Sequence, residues 1–398
     1  MPSRHAMTAD VDLSPLQLSL DQLQDVRSTL QARIAEGLQH EDKEILALPA
    51  FLPPPPGSVC GEALVVDLGG TNIRAALVKV DGPERIEVLA GPARRSLRDA
   101  SGQGPRTADE FFDMQAELVA ELGIRDDRHP VGYVFSFPAR IEPDADAVLL
   151  RWTKGIDVPG VVGHKVGCNL EAALKAHGLH CGRVVVLNDT VAALVGGAHR
   201  YQGPPERTIG LIAGTGTNMA AFFTQNQSPK LSGWSESSMA VNLESGNFRP
   251  PHLSSWDDQI DARSNNPSAQ RFEKALSGVY LPQLFGEILQ LEDPPTSAAE
   301  LDRQILEGGP HQDVAACLLD RSADLVAAGL AGVIDHVGPG PVGVLAEGSL
   351  FWQSPGYGAR VQDRLHSLCP DTQATVLKLD DVNLCGAAVA ALTMKDRS

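Results

Sequence analysis

Asp189 sits where an apolar run, VVVLNDTVAAL at residues 184–194, changes from a buried strand through a polar trio into a helix. Side chains at a strand end of this kind face a cleft more often than a core. Its carboxylate has two readings there. It can cap the helix that follows, or it can take the proton from a hydroxyl that attacks a phosphoryl group in line. Two glycine turns give the second reading a partner. Gly69-Gly70-Thr71-Asn72 follows one β-run, and Gly214-Thr215-Gly216-Thr217-Asn218 follows another. Missing side chains let backbone N–H groups close on an anion in both places, and the same device used twice would grip a polyphosphate from two sides. Neither turn leads into GKS or GKT, and neither has GxGxxG spacing, which excludes the P-loop and the dinucleotide fold. Asp67 ends the apolar strand ahead of the first turn, where a carboxylate needs a partner. A magnesium ion or its water shell would supply one.

These groups need strands to carry them. Residues 63–80 read as a strand, a Gly-Gly turn and a second strand, hence a hairpin. Further strands are expected at 131–137, 183–189, 208–214 and 341–348, with helical patterns between them, which makes the chain α/β. Leu16, Leu20, Leu23, Val26, Leu30 and Ile34 recur at helical spacing and predict an amphipathic N-terminal helix over 15–38, ended by the prolines at 53–56.

A chain of 398 residues can form two lobes, each with its own core, and a cleft between them. Its 43% apolar and 21% charged residues are those of an ordinary globular protein. The net charge of −17 repels polyanions, so neither nucleic acid nor an anionic membrane is an expected partner, and a bound nucleotide would need local neutralisation. Six scattered cysteines form no CxxC pair, which argues against a zinc cluster or a disulfide framework. With no apolar signal core at the start and no stretch long enough to span a bilayer, the expected location is the cytoplasm.

Taken in order, the motifs resemble those of hexokinases along nearly the whole chain. DLGGTNIR (67–74) resembles the family's first phosphate motif, and FSFP (135–138) and RWTKG (151–155) resemble sugar-recognition segments. LNDTV (187–191) looks like the catalytic aspartate segment and GTGTN (214–218) like the second phosphate loop. VNLESGNF (241–248) and NNPSAQRFEKALSGVYL (265–281) are similar to the remaining sugar-binding stretches.

The resemblance implies a two-lobed actin-like ATPase (ribonuclease H-like) α/β fold. Residues 1–62 would be an N-terminal helix and linker packing on the large lobe, 63–187 the small lobe, 188–384 the large lobe, and 385–398 a C-terminal helix returning to the small lobe. It implies transfer of the ATP γ-phosphoryl group to the 6-hydroxyl of a hexose, glucose first, as the opening step of glycolysis, with ATP and Mg2+ as cofactors, in a monomer or homodimer. Asp189 would be the general base, with Lys154 adding positive charge at the transferring group. Sugar ligands would be Ser136, Phe137, Thr153, Lys154, Asn188, Asp189, Asn218, Glu244 and Glu273. Ionised glutamates accept hydrogen bonds and cannot donate, which suits a neutral polyol and repels an acidic one. The nucleotide would meet Asp67, Gly69, Gly70, Thr71, Asn72, Gly214, Thr215, Gly216, Gly348 and Ser349, with Asp67 placing magnesium through water. For Arg74 an ion pair across the hairpin is as good a reading as a phosphate contact.

Four departures from the family pattern carry expectations. Ser245 stands where a tryptophan usually follows the glutamate, so the packing beside Glu244 should differ. Ser268 replaces a usual glycine, so the loop carrying Gln270 and Glu273 should differ in backbone angles. Asp381-Val382-Asn383-Leu384-Cys385 replaces a glycine-serine-glycine run, and Glu347 replaces an aspartate before Gly348-Ser349. The adenosine contacts should therefore change, with weak adenine affinity or relaxed nucleotide choice.

Overall fold

The structure, a computed structural model, describes residues 11–99, 101–124, 128–153 and 155–395. Its strands in chain order are β1 (Leu48–Pro49), β2 (Cys60–Leu68), β3 (Asn72–Asp81), β4 (Ile86–Ser96), β5 (Val131–Phe135), β6 (Ala139–Ile141), β7 (Ala147–Leu149), β8 (Val184–Leu187), β9 (Thr208–Ala213), β10 (Thr217–Thr224), β11 (Ser238–Asn242), β12 (Val342–Glu347) and β13 (Ala374–Leu377). One sheet has the order β4-β3-β2-β5-β8 and the other β1-β11-β10-β9-β12-β13, while β6 and β7 form a small hairpin.

Leaving β1 aside, the two sheets repeat one plan. In each, three antiparallel strands run as a meander and two parallel strands follow on the far side of the first. The glycine turns that the sequence marked are the first hairpin of each copy, β2–β3 and β9–β10. Strand β2 is buried on both faces over Ala63, Leu64, Val65, Val66, Asp67 and Leu68, as a central strand with layers on either side must be.

A helix follows the last strand of each copy and crosses to the other sheet. Helix Asp189–Arg200, after β8, packs on β9 and β12, whereas helix Val382–Met394, after β13, packs on β2 and β5. The two helices also pack on each other, and a shared core of Leu194, Val195, Ala388 and Ala391 with Val65 and Ala220 joins both sheets. Their approach is close enough to require glycine: a Cβ on Gly386 would lie 2.0 Å from the carbonyl oxygen of Ala192.

Helix Leu20–Gln39 starts at a capping box, in which Ser19 Oγ accepts from Gln22 N and Gln22 Oε1 accepts from Ser19 N. Leu23, Val26, Leu30 and Ile34 bury its apolar stripe in the same core as the long helix Gln312–Val337. The prolines do not end it, contrary to the expectation from sequence. It stops at Gln39, where His40 turns extended, well before them. Helix Val382–Met394 likewise begins ahead of the expected residue 385, because Asp381 in a left-handed conformation (φ 47°) turns the chain into it. Among the described residues no helix is long and apolar enough to cross a membrane.

Candidate active site

Of the two readings that sequence left open for Asp189, the helix cap falls to its neighbour Asn188. Asn188 is extended and its side chain accepts from Thr190 N, so it is the helix cap. Asp189 is the first helical residue. Its Oδ1 accepts from Thr190 N and the Thr190 hydroxyl, and its Oδ2 receives no hydrogen bond from the described residues.

Beyond Asp189 lies a chain of amides and carboxylates built on β10, β11 and the turn after it. Asn218 on β10 donates to Asn242 on β11 at 2.8 Å, and Asn242 donates to Glu244 at 2.7 Å. Asn218 Oδ1 in turn accepts from Met219 N and Ser245 N, which fixes its amide orientation. Glu244 itself takes a left-handed turn (φ 55°) that swings it off the strand. Burial raises its pKa above the usual carboxylate range, opposed by the Asn242 hydrogen bond and the Arg151 charge, while nearby Asp189 and Glu273 raise it further.

Glu273 closes the group from helix Arg271–Leu276. Its Oε2 accepts from Thr217 N at 3.1 Å and its Oε1 accepts from the Gln270 amide at 3.2 Å. A Cβ on Gly216 would lie 2.8 Å from Glu273 Oε2, so the second glycine turn and this carboxylate share one wall. Below Glu273, the buried ammonium of Lys274 donates to Asp261, Ser264 Oγ and the carbonyl of Asn266, pinning the 264–270 loop. Ser268 holds the left-handed conformation a glycine would take (φ 69°), and its N–H donates to both oxygens of Asp261. Asp261 thereby anchors this N–H in the left-handed turn. Ser245 is fully buried, with its N–H on Asn218.

From the other sheet come Ser136 and Thr153. Ser136 is buried, its N–H donating to Leu68 O at 3.2 Å, just past β5. Thr153 is placed by its neighbour Trp152, whose indole N–H donates to Val158 O and whose ring packs edge-on against Phe137 at 4.8 Å and Phe111 at 5.4 Å. Phe137, from the same segment as Ser136, has its ring buried in that aromatic cluster. Lys154 lies outside the described residues.

At the phosphate end, Asp67 and Arg74 face each other across the β2–β3 register, with both the Nε (2.8 Å) and Nη2 (2.5 Å) of Arg74 donating to Asp67 Oδ2. Asn383 reaches Asp67 Oδ1 at 3.3 Å and Arg74 also pairs with Asp381 at 3.0 Å. Asp67 thus finds its partner in a guanidinium. Burial raises its pKa, Arg74 opposes that, and Asp189 adds to the rise. Glu347 is raised by burial as well, relieved by Arg74 and pushed further by Asp189, Asp381 and Asp67. Among the described residues no cluster of three His, Cys, Asp or Glu side chains could hold an ion alone. This donor set fits magnesium in the form it usually takes at phosphates, keeping several waters and bound by the phosphates with one or two carboxylates.

The two turns are shaped by their own backbones. Gly69 N donates to Asn72 O in the first, leaving Thr71 and Asn72 exposed, and Gly214 N donates to Gly216 O in the second, leaving Thr215 exposed. Beside Thr215 a groove of about 380 Å3 opens, lined among others by Val279, Pro282, Thr296, Ser297 and Ser349. Gly348 caps the short helix Ser349–Gln353 there.

Two family models, both described as hexokinase, match residues 10–199 and residues 208–292 with 287–393. This chain belongs to the hexokinase family. It is 29% identical over 445 residues to the hexokinase of Schwanniomyces occidentalis, covering 96% of this chain and 91% of that one. It is also 29% identical over 439 residues to human hexokinase-3, covering 97% of this chain but 47% of that protein, so it spans about half the length of such relatives. Among solved structures, the hexokinase of Schistosoma mansoni complexed with glucose superposes with a TM-score of 0.79 at 26% identity, covering 95% of this chain and 97% of that one.

Within this hexokinase fold, the residues that sequence reading passed over are those that place others. Asn242, the last residue of β11, links Asn218 to Glu244 from two positions upstream, and alternation along VNLE could have found it. Trp152, inside RWTKG, gave no signal apart from its size. The groove side chains of 279–283 and 296–297 come from segments distant in sequence, and no local pattern joins them to Thr215 or Ser349.

Proposed function

We propose that this hexose kinase uses Asp189 as the base that takes the proton from the 6-hydroxyl of a neutral hexose, glucose foremost, as the terminal phosphoryl of ATP passes to that oxygen. The observation that carries the reading is the shared wall at Gly216. Glu273 accepts from Thr217 N there, so the acceptors suited to a polyol and the turn suited to phosphate end side by side. Asn188, Asn218, Glu244, Glu273, Ser136 and Thr153 would hold the sugar hydroxyls. Three nearby carboxylates favour hydroxyl donors and disfavour acidic sugars. Gly69, Gly70, Thr71 and Asn72 on one side, with Gly214, Thr215 and Gly216 on the other, would take the phosphates, and Gly348 and Ser349 the adenosine. Magnesium, reached by Asp67 through water, would neutralise phosphate charge in an acidic site. Lys154 would add positive charge at the transferring group.

Residues 63–187 and 188–384 act in this reading as two lobes that close on the sugar and exclude water from the reacting phosphoryl. Small-angle scattering with and without glucose tests the closure, and no compaction would refute it. Six free thiols fit a reducing, cytoplasmic setting. The reaction is tested by coupled detection of hexose 6-phosphate with ATP and magnesium, wild type against Asp189→Ala. Turnover by the wild type alone supports both kinase and base. Glucose binding without turnover by any donor would mean a sugar sensor instead.

A further inference from the structure

In the groove beside Thr215, the hydroxyls of Thr296 and Ser297 have their protons turned away from a ligand. Thr296 Oγ1 lies 2.9 Å and Ser297 Oγ 3.3 Å from the same oxygen of Glu300, and Thr296 N points at it from 3.4 Å. A carboxylate only accepts, so both hydroxyls donate to Glu300 and keep lone pairs alone for anything else. These bonds hold the Glu300 carboxyl below its usual pKa, with the Thr296 hydroxyl the largest cause, so the arrangement persists at neutral pH. Gln283, also lining the groove, spends one of its two amide N–H groups on Val279 O at 3.2 Å and keeps its Oε1 as a further acceptor. Around these acceptors the walls are apolar, with Val279 46% exposed and Pro282 beside it.

We propose that Glu300 is a specificity-determining residue for the phosphoryl donor: by fixing Thr296 and Ser297 as acceptors it makes the groove select a purine with a 6-amino group over one with a 6-oxo group. The inference rests on the reading that this groove takes the base of the nucleotide. A 6-amino group supplies the protons that the acceptors lack, whereas a 6-oxo group sets its lone pairs against theirs. Glu300 itself need not touch the base. Against the expectation of relaxed nucleotide choice, this groove has a definite polarity.

The test compares kcat/KM for ATP and inosine triphosphate, which differ only at the purine 6-position and N1, at saturating glucose. Wild type is expected to favour ATP by about tenfold, the size of one net hydrogen bond gained at about 1.4 kcal/mol. Glu300→Ala frees both hydroxyls to donate, and its ratio is expected to fall at least about fivefold, with KM for glucose unchanged and Glu300→Gln in between. An unchanged ratio in Glu300→Ala, or no preference in the wild type, overturns the role given to Glu300. Val279→Asp separates the underlying reading: if it leaves the KM of both donors unaltered, the base binds elsewhere and the inference falls with that reading.

Discussion

Lys274→Met should loosen the sugar loop without touching any group assigned to the sugar. The ammonium of Lys274 is 2% exposed and holds three oxygens, on Asp261 at 2.7 Å, Ser264 at 2.8 Å and the Asn266 carbonyl at 2.8 Å. Breaking a buried ion pair costs about 3–5 kcal/mol when the remaining charge is left unpaired. Here Asp261 keeps Arg271 at 3.2 Å and the Ser268 N–H, so the lower end, about 3 kcal/mol, is the expected loss. The loss falls on the 264–270 loop that leads into Glu273. Hydrogen exchange measures it directly: amide protection over 264–270 should drop by about a hundredfold, since each 1.4 kcal/mol is a factor of ten. If about half of that loss is expressed in binding, calorimetry should show glucose affinity falling about tenfold, while ATP KM at saturating glucose stays near wild type. Protection and glucose affinity both within twofold of wild type would show that Lys274 does not hold the loop, and would remove the link drawn from it to Glu273.

Other perturbations test other parts of the site. Gly216→Ala puts a methyl 2.8 Å from Glu273 Oε2, and the expected outcome is a rise of about tenfold or more in glucose KM, read in the coupled assay, with little change in thermal stability. Because the pKa of Glu244 is raised, it protonates at a higher pH than an ordinary carboxylate as the solution is acidified, so glucose affinity should weaken on the acid side above the usual carboxylate range; Glu244→Gln should flatten that limb of a calorimetric pH series. For the sugar-free protein the sign is opposite. The unfolded chain releases this proton first, so stability present at low pH is lost as pH rises through the folded pKa, and Glu244→Gln should be more stable than wild type at neutral pH but not in acid. Gly386→Ala drives a methyl to 2.0 Å from the Ala192 carbonyl and should cost about 1–3 kcal/mol in denaturant unfolding, with activity falling because the crossing helices separate.

The sequence displayed what is local and concealed what is assembled. Both glycine turns, the hairpin of β2 and β3 and the strand before Asp189 were visible because alternation, apolar runs and missing side chains are properties of neighbouring residues. The family pattern named Asn218, Glu244 and Glu273, and the structure joins them through Asn242 and the Thr217 N–H. A motif marks where a segment lies and not which way a side chain turns: the ring of Phe137 packs against Trp152 and Phe135. Ser268 holds a left-handed conformation that its identity does not announce. Asp261, seven positions upstream, holds its N–H in the left-handed turn, and nothing short of the folded chain brings that carboxylate there.

The repeated plan of the two sheets also explains why one acidic helix start is suited to be a base and the other is not. Helix Asp189–Arg200 and helix Val382–Met394 follow corresponding strands, and each begins at an aspartate, Asp189 in one and Asp381 just before the other. Each helix lies over the opposite hairpin. Aligned on Gly-Thr-Asn, the hairpin under Asp381 carries Arg74, whereas the hairpin under Asp189 carries Ala220, paired in register with Gly210. Arg74 ion-pairs with Asp381 and with Asp67, which occupies the helix-start aspartate of this copy. In the other copy the small pair lets the helix start settle onto the sheet, where a Cβ on Gly210 would lie 2.6 Å from Thr190 O, and the β10 position matching Arg74 supplies no cation. The Asp381 carboxylate is occupied by a guanidinium, whereas Oδ2 of Asp189 takes no hydrogen bond from the described residues, as a proposed base that must reach a substrate hydroxyl requires. One arginine, present in the first hairpin and replaced by alanine in the second, therefore separates the two aspartates that the repeat would otherwise make alike.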